Sequence, residues 1–297
     1  MKGIVIAGPT GVGKTNLSLE IALKTNSEII SADSMQVYKH LDIGTAKIKE
    51  NETRGIKHHL IDVVEPIHKY SVGEYHRQTG IVMAEIEKAD KNVVLAGGTG
   101  LYIDSVTEGI AMLPESRLDL RAELEAKTLH ELNEQLKELD IEEYCQIDKM
   151  NKRRVVRAVE ICLISGEKAS FLKKNNIKNN NCKFVKFALE RDRDILYDRI
   201  NKRVDIMMED GLLQEAEGIY KKYQNGIDEI AAIGYRELFM YFRGEKSLSE
   251  AVELIKQNSR KYAKRQFTWF KNDLSYKWIN LDEISEAEAV KIIMSEV

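Results

Sequence analysis

The sequence reads Gly8-Pro9-Thr10-Gly11-Val12-Gly13-Lys14-Thr15, and this stretch decides the fold because it matches G-x-x-x-x-G-K-[ST] at every position. The preceding run, residues 3–7, is short and apolar, which predicts a buried strand. The residues that follow, among them Leu17 and Ile21, recur at helical spacing. A strand, a glycine loop and a helix in this order predict a phosphate-binding turn.

All eight residues of this phosphate loop are predicted to bind a diphosphate or longer polyphosphate. Glycines let the backbone N–H groups surround an anion at the positive end of a helix dipole. Lys14 is predicted to contact the terminal phosphate, and the Thr15 hydroxyl to bind Mg²⁺. The alternative is an ordinary glycine-rich turn without a ligand. The motif does not identify the ligand as ATP.

Composition narrows the class of protein. A chain of 297 residues with 43% hydrophobic residues is long and apolar enough for one large domain, or for a core domain with an insertion. The net charge of -3 does not indicate a uniformly basic nucleic-acid binder. The three cysteines are far apart, which favours a reducing compartment over a disulfide framework or a zinc site. The absence of a leader or a long apolar run predicts a soluble cytoplasmic protein with no membrane partner.

The later strands are predicted to bring further groups to the same edge of the sheet. Residues 28–33 read as a second strand ending in Asp33, which we expect to face the phosphate loop because ligands bind at the carboxyl ends of parallel strands. An aspartate here could also be only a helix cap. Residues 58–63 read as a third strand, in which the paired histidines are predicted to be structural. Residues 92–96 read as a fourth strand that leads into Gly97-Gly98-Thr99-Gly100.

The middle of the chain differs in character from its two ends. From residue 114 to 181 the strand signals give way to charged helical patterns, and strand character resumes at residues 183–189. The sequence therefore predicts an α/β protein with a P-loop NTPase-like parallel sheet flanked by helices. An all-helical subdomain, 114–181, is predicted to divide the catalytic core into residues 1–113 and 182–297, the latter including the C-terminal helices.

Three arginines lie within five residues of this predicted insertion, at Arg153, Arg154 and Arg157. A solvated helix face, or pairing with Glu160 and Asp148, is the ordinary explanation. Clustered arginines without interleaved acids also suit a nucleic-acid phosphate backbone.

Several motifs resemble the tRNA dimethylallyltransferase family, in family order from residue 3 to about 280. They are the phosphate loop, Ser31-Ala32-Asp33-Ser34-Met35-Gln36-Val37-Tyr38, Asp42-Ile43-Gly44-Thr45-Ala46-Lys47, Gly97-Gly98-Thr99-Gly100-Leu101-Tyr102, Gly234-Tyr235-Arg236 and Ala263-Lys264-Arg265-Gln266-Phe267-Thr268-Trp269. The combination resembles the short bacterial form, without the zinc-finger extension of eukaryotic relatives.

This resemblance implies transfer of a dimethylallyl group from dimethylallyl diphosphate to the exocyclic N6 amine of the adenosine next to the anticodon. The implied catalytic residues are Asp33 as the base, with Lys14, Thr15, Mg²⁺ and Arg203 at the diphosphate. The positions expected to contact tRNA are Asp33, Ser34, Met35, Gln36, Thr99, Gly234, Tyr235 and Arg236, while Arg153, Arg154 and Arg157 would hold the anticodon stem-loop. The expected partners are tRNA and dimethylallyl diphosphate, and the expected oligomeric state is a monomer.

Two other functions remain open at this point. A P-loop small-molecule or nucleotide kinase would use ATP, but such enzymes usually add an apolar strand ending in a Mg²⁺-binding aspartate, which this sequence lacks. A nucleotide-regulated RNA-binding protein without catalysis would leave Asp33 with no role.

Overall fold

The computed structural model describes residues 1–174, 176–177 and 182–297. The chain divides into two compact units, one comprising Met1–Thr107 with Asn180–Val297 and the other comprising Glu108–Asn179. We call the first the core unit and the second the helical unit. The helical unit begins earlier than the predicted insertion of 114–181, and residue 181 lies outside the described residues.

The strands are β1 (Gly3–Ala7), β2 (Ser27–Ala32), β3 (His58–His59), β4 (Asn92–Gly97), β5 (Ile110–Ala111), β6 (Asn176–Ile177), β7 (Phe184–Glu190) and β8 (Lys277–Asn280). Six of them form the sheet of the core unit in the order β3-β2-β4-β1-β7-β8. All neighbours in this sheet run parallel. The predicted parallel α/β sheet is confirmed.

The helices of the core unit are α1 (Lys14–Thr25), α2 (Val72–Lys88), α3 (Gly100–Thr107), α9 (Arg193–Glu209), α10 (Leu212–Lys222), α11 (Tyr235–Phe242), α12 (Leu248–Lys271) and α13 (Glu286–Met294). Those of the helical unit are α4 (Leu118–Ala126), α5 (Leu129–Leu139), α6 (Ile141–Gln146), α7 (Lys152–Ser165) and α8 (Ala169–Lys173). Short 3₁₀ turns cover Glu50–Glu52 and Gln224–Glu229.

Both faces of the sheet are covered by helices, which explains why β1 is buried at every residue. Ile4 and Ile6 point into an apolar cluster that includes residues of α1 and α13. Val5 and Ala7 point into the opposite cluster, which includes residues of α2 and α3. The period-two alternation of a strand therefore serves two cores at once.

The predicted third strand, 58–63, is reduced to His58–His59. Leu60 and Asp62 both have positive φ, at 60° and 56°, a conformation that cannot continue a strand. His59 Nε2 lies 2.6 Å from Glu28 Oε2, and Lys91 Nζ lies 2.8 Å from Glu28 Oε1, so this histidine is structural, as predicted. These two contacts join β2 to β3 and to the residue that precedes β4.

The helical unit has its own apolar core, in which α4, α5 and α7 pack together. Leu132, Leu136, Val155 and Val159 are fully buried there. The unit also contains the antiparallel pair β5–β6. β5 precedes the segment 114–181, but β6 lies within it, so the all-helical prediction is wrong there, because a two-residue strand leaves no periodic pattern in the sequence. Among the helices of the described residues, none has the length and apolarity needed to cross a bilayer.

Candidate active site

Three adjacent strands bring the predicted site together at one edge of the sheet. In the order β2-β4-β1, their carboxyl ends lead to Asp33, to Gly98-Thr99 and to the phosphate loop. The Thr99 N–H donates to Ala32 O at 3.0 Å, and this bond holds the turn after β4 against the end of β2. These residues therefore meet at the carboxyl ends of parallel strands, as the sequence predicts.

The phosphate loop turns sharply into α1. Gly13 has φ of +117°, which only glycine adopts easily, and α1 begins at the next residue. Lys14 Nζ donates to Gly8 O and Pro9 O, both at 2.9 Å, so the lysine reaches back across the loop. The Thr15 side chain is exposed at the start of the helix.

Two arginines from outside the motif hold other carbonyl groups of the loop. Arg199 Nε donates to Gly11 O at 2.9 Å, and Arg191 Nε donates to Val12 O at 3.0 Å. Arg191 is itself paired with Asp282. Together with the Lys14 bonds to Gly8 and Pro9, cationic side chains bind four of the five carbonyl groups between residues 8 and 12. The loop shape is built by the whole core unit and not by the motif alone.

The loop, Asp33 and Arg203 form one charged group. Arg203, on α9, approaches the Thr10 hydroxyl with an Nη1–Oγ1 distance of 3.4 Å. Burial lowers the pKa of Lys14 to about 8; the Asp33 carboxylate works against this shift and the Arg203 charge adds to it. Burial also lowers the pKa of Arg203, again opposed by Asp33. Two desolvated cations beside one carboxylate make a site that favours an added anion.

Asp33 is held by the backbone that follows it. Its Oδ1 accepts the Met35 N–H at 2.8 Å, and the next residue, Ser34, donates its N–H to Thr99 Oγ1 at 3.0 Å. Tyr262, from α12, hydrogen-bonds with Ser34 and Thr99; burial raises the pKa of its hydroxyl, and the nearby Asp33 charge adds to the effect. The carboxylate is thus oriented by a local turn, as a capping aspartate would be, while it also lies beside the two cations.

Asp33 lines two cavities. The larger, of about 390 Å³, is also lined by Thr10 and Arg203 and has an apolar wall that includes Ile200, Val204, Met207, Leu212 and Ile233. The smaller, of about 70 Å³, is lined by Lys14, Thr15 and Gln36 among others. Asp33 is therefore accessible both from the side of the phosphate-loop lysine and from a space of ligand size.

Of the residues predicted to contact tRNA, Ser34, Met35, Gly234 and Arg236 line the larger cavity. Gln36 lines the smaller cavity, and its Oε1 accepts the Ser31 hydroxyl at 3.0 Å. Thr99 supports Ser34 from below, as described above.

Tyr235 has a supporting position. Its side chain is 0% exposed, and its hydroxyl accepts the Gly44 N–H at 3.1 Å and donates to Glu215. Glu215 in turn accepts the N–H groups of Asp42, Ile43 and Gly44. The tyrosine therefore fixes the loop around Gly44, which lines the larger cavity, and leaves no surface of its own for a ligand.

In the helical unit, Arg153 and Arg154 are exposed on α7. Arg157 differs, because its Nη1 lies 2.7 Å from the fully buried Glu160 carboxylate and its Nη2 donates to Pro114 O at 2.6 Å. The prediction treated the three arginines as one group, whereas only the first two project into solvent. Arg157 instead compensates a buried charge.

Sequence reasoning gave no role to Gln266, Arg191, Arg199 or Tyr262. Gln266 carries the clearest signal in hindsight, because it lies three residues after Ala263 and four before Phe270 on the buried face of α12. A polar residue at a core-facing helix position needs hydrogen-bond partners. The two arginines carry no comparable signal, since exposed helix positions and loop positions accept arginine freely.

Comparison with known proteins identifies the family of this chain. The family model described as IPP transferase matches residues 36–273. A protein of Fusobacterium nucleatum named tRNA dimethylallyltransferase is 53% identical over 98% of this chain and 96% of its own length. The crystal structure of the full-length tRNA isopentenylpyrophosphate transferase of Bacillus halodurans is 38% identical, with a TM-score of 0.74, and covers 99% of this chain and 96% of that one.

A eukaryotic dimethylallyltransferase, described as acting on tRNA, is similar at 27% identity and a TM-score of 0.83, over 100% of this chain and 80% of that one. The family match spans most of the chain, and the bacterial relative aligns over nearly all of it. The chain, which carries the phosphate loop, Asp33 and Thr99 at one edge of its sheet, is therefore a member of the IPP transferase family.

Proposed function

We propose that this protein transfers a dimethylallyl group from dimethylallyl diphosphate to the N6 amine of the tRNA adenosine next to the anticodon, and releases diphosphate. The observation that carries this proposal is the placement of Asp33, a carboxylate that lines both cavities beside the cations Lys14 and Arg203. A base and an anion site in contact suit a reaction in which a diphosphate leaves while an amine attacks. The names of the relatives support the same reaction.

The diphosphate lies in the phosphate loop, where the backbone N–H groups, Lys14 and Arg203 neutralise it. Negative charge builds on the bridging oxygen as the allylic C–O bond breaks. Cations placed at that oxygen therefore stabilise the transition state more than the bound substrate. The half-buried position of Lys14 strengthens this effect because water screens the charge poorly there.

Asp33 accepts a hydrogen bond from the adenine amine and then its proton. The new N–C bond forms as the C–O bond breaks, the electron pair of that bond leaves with diphosphate, and the amine proton moves to the carboxylate. An aromatic amine is a weak nucleophile, so its orientation matters as much as its deprotonation. The Met35 N–H on Oδ1 leaves the other carboxylate oxygen of Asp33 for this contact.

The metal that assists the diphosphate is proposed to be Mg²⁺, bound by Thr15 and the diphosphate oxygens. The donor fits this ion, since the exposed Thr15 hydroxyl lines the small cavity beside the phosphate loop and Mg²⁺ typically combines few protein oxygens with phosphate and water. When bound, Mg²⁺ supplies charge neutralisation to the leaving group. Within the described residues no cluster of three or more His, Cys, Asp or Glu side chains offers a metal a complete protein cage.

The larger cavity is proposed to receive the adenosine. A base stacked in the anticodon loop cannot reach Asp33, so it has to leave the stack and enter the protein. The cavity combines an apolar wall with Ser34, Arg236 and Arg265, a mixture suited to a base and its flanking phosphates. Mutation of Met35 or of Arg236 is expected to raise the KM for tRNA.

The helical unit is proposed to bind the anticodon stem-loop through exposed Arg153 and Arg154. Contacts of this kind are mainly to phosphates, because the neighbouring amide, Asn151, caps α7 by accepting the Arg154 N–H and is not placed to read bases. Arg157 supports this surface through its bond to Glu160. We also propose a monomer and a cytoplasmic location, where the tRNA substrate is found.

A direct assay tests the reaction. Protein, tRNA, dimethylallyl diphosphate and Mg²⁺ are incubated without ATP, and the tRNA mass is measured. We expect the mass of one dimethylallyl group to be added to the tRNA. No added mass, together with tight ATP binding and hydrolysis on addition of tRNA, would favour the kinase function.

Asp33→Asn tests the base. It keeps the Met35 contact but loses basicity, and we expect kcat to fall by about 10²–10⁴ with little change in tRNA affinity. Asp198→Asn, an exposed aspartate of α9, is the matched control. A near-normal kcat for Asp33→Asn would remove this residue from the proton transfer.

Arg153→Ala combined with Arg154→Ala tests the RNA surface. We expect weaker tRNA binding for all sequences and a salt dependence flatter by up to about two charges, with kcat at saturating tRNA preserved. Lys137→Ala, on the exposed side of α5, controls for loss of positive charge from this unit. A wild-type salt slope in the double variant would place the RNA-binding surface elsewhere.

A further inference from the structure

We propose that Gln266 is a positioning residue that links the phosphate loop to the loop carrying Asp33. This inference rests on the proposed function for its kinetic part, but its binding part does not depend on it. Gln266 lies on α12 with its side chain 5% exposed, far along the chain from every group it contacts.

The two ends of the Gln266 amide contact different strand ends. Its Oε1 accepts the Thr10 N–H at 2.9 Å, and its Nε2 donates to Gly98 O at 2.9 Å. The first bond reaches the loop after β1, and the second reaches the turn after β4. A buried primary amide is the side chain that serves an N–H and a carbonyl at the same time.

Gly98 leaves the space that this amide needs. A Cβ at position 98 would lie 2.0 Å from Gln266 Nε2, so any other residue there would displace the glutamine. The close approach of another group to the backbone at Gly98 is therefore that of Gln266, which explains this glycine through the internal link.

The connection continues to the proposed base. Gly98 is followed by Thr99, whose hydroxyl accepts the Ser34 N–H at 3.0 Å, and Ser34 follows Asp33. On the other side, the hydroxyl of Thr10 faces Arg203. Gln266 therefore sits between the groups proposed to hold the leaving diphosphate and the group proposed to accept the proton.

Because Gln266 binds Thr10, one backbone N–H of the phosphate loop is already hydrogen-bonded within the protein. In this geometry Gln266 uses the Thr10 N–H, so the diphosphate is held by the other N–H groups and by the cations. Loss of the glutamine would leave this partly buried N–H without its partner and free the first half of the loop to turn. We therefore expect the phosphate loop to bind diphosphate less well.

Two variants separate this role from a general effect on stability. Gln266→Met keeps the length and loses both hydrogen bonds. Gln266→Glu reproduces the amide pattern only while its carboxyl is protonated, when its O–H donates to Gly98 O and its carbonyl accepts from Thr10. Thr268→Ala, an exposed position two residues along α12, is the control.

The first measurement is the affinity for Mg²⁺–pyrophosphate by calorimetry between pH 5.5 and 8. We expect Gln266→Met to bind about tenfold more weakly than wild type at every pH. Because burial at this 5% exposed position raises the pKa of a carboxyl, Gln266→Glu should approach wild type at the acid end and weaken as pH rises and its carboxyl ionises. This experiment needs no tRNA, so it tests the inference even if the proposed reaction is wrong.

The second measurement is the kinetics of dimethylallyl transfer. We expect Gln266→Met to raise the KM for dimethylallyl diphosphate and lower kcat, because both ends of the link are lost, while the KM for tRNA stays near that of Thr268→Ala. Pyrophosphate affinity within twofold of wild type for Gln266→Met, with no pH-dependent difference between Gln266→Glu and wild type, would overturn the inference.

Discussion

Lys14 should make diphosphate binding sensitive to alkaline pH. Burial lowers the pKa of its ammonium group to about 8 in the free protein, although Asp33 partly offsets the shift. Only the charged form attracts a diphosphate strongly. Bound diphosphate raises the pKa again, so binding above pH 8 has to take up a proton.

The size of the effect follows from this pKa. A group with a pKa of about 8 is about nine-tenths charged at pH 7 and about one-tenth charged at pH 9. The apparent affinity for pyrophosphate should therefore fall about tenfold over this interval through Lys14 alone. At saturating dimethylallyl diphosphate, kcat should change much less, because the bound substrate keeps the lysine protonated.

Calorimetry of pyrophosphate binding at pH 8.5 in two buffers of different ionisation enthalpy is the assay. The difference between the two heats gives the number of protons taken up, and we expect a value clearly above zero. Lys14→Arg is the matched control, because a guanidinium stays charged, so its affinity should show only the pH dependence that comes from the titration of pyrophosphate itself. An unchanged wild-type affinity from pH 7 to 9, with no proton uptake, would show that Lys14 keeps its ordinary pKa.

Three further predictions concern stability and are tested by urea unfolding. Gly44→Ala should cost about 2 kcal/mol, because a Cβ there would lie 2.5 Å from the Tyr235 ring; a neutral result would mean that the loop moves freely. Glu28→Gln should cost about 2–3 kcal/mol at pH 7. Burial alone would raise the pKa of Glu28, but hydrogen bonds from Lys91 and His59 lower it below its ordinary value. Wild type therefore loses its advantage over the variant as pH falls through the folded-state pKa of Glu28, and a difference in stability that persists in acid would contradict the argument. Leu132→Ala should destabilise the core of the helical unit by about 2–5 kcal/mol; a change below 1 kcal/mol would contradict the tight packing.

The start of the fold could be predicted from the sequence because its signals are local. A buried strand, a glycine loop and a helix are adjacent in the chain, and each follows from the residues themselves. The position of Asp33 was predictable for a similar reason, since it directly follows an apolar strand. The start of α2 carries a local signal of the same kind, a capping box formed by Ser71 and Glu74.

The supporting contacts could not be predicted, because they join distant parts of the chain. Gln266 is 256 positions from Thr10 and 168 from Gly98. Periodicity could indicate only that an amide lies on the apolar face of a helix. Tyr235 was assigned to the tRNA surface from its motif, yet its burial depends on how α11 meets the loop around Gly44, which no local pattern specifies.

The strand order has a consequence for how the protein is made. In the register of the sheet, Gly3 pairs with Val93 on one side and with Phe184 on the other. β1 therefore has no complete set of neighbours until the chain beyond residue 184 has been synthesised. The helical unit, whose contacts are close in sequence, is expected to fold before β1 has all of its neighbours in the sheet. The phosphate loop, although it precedes the helical unit in the chain, is then expected to take its final shape after that unit.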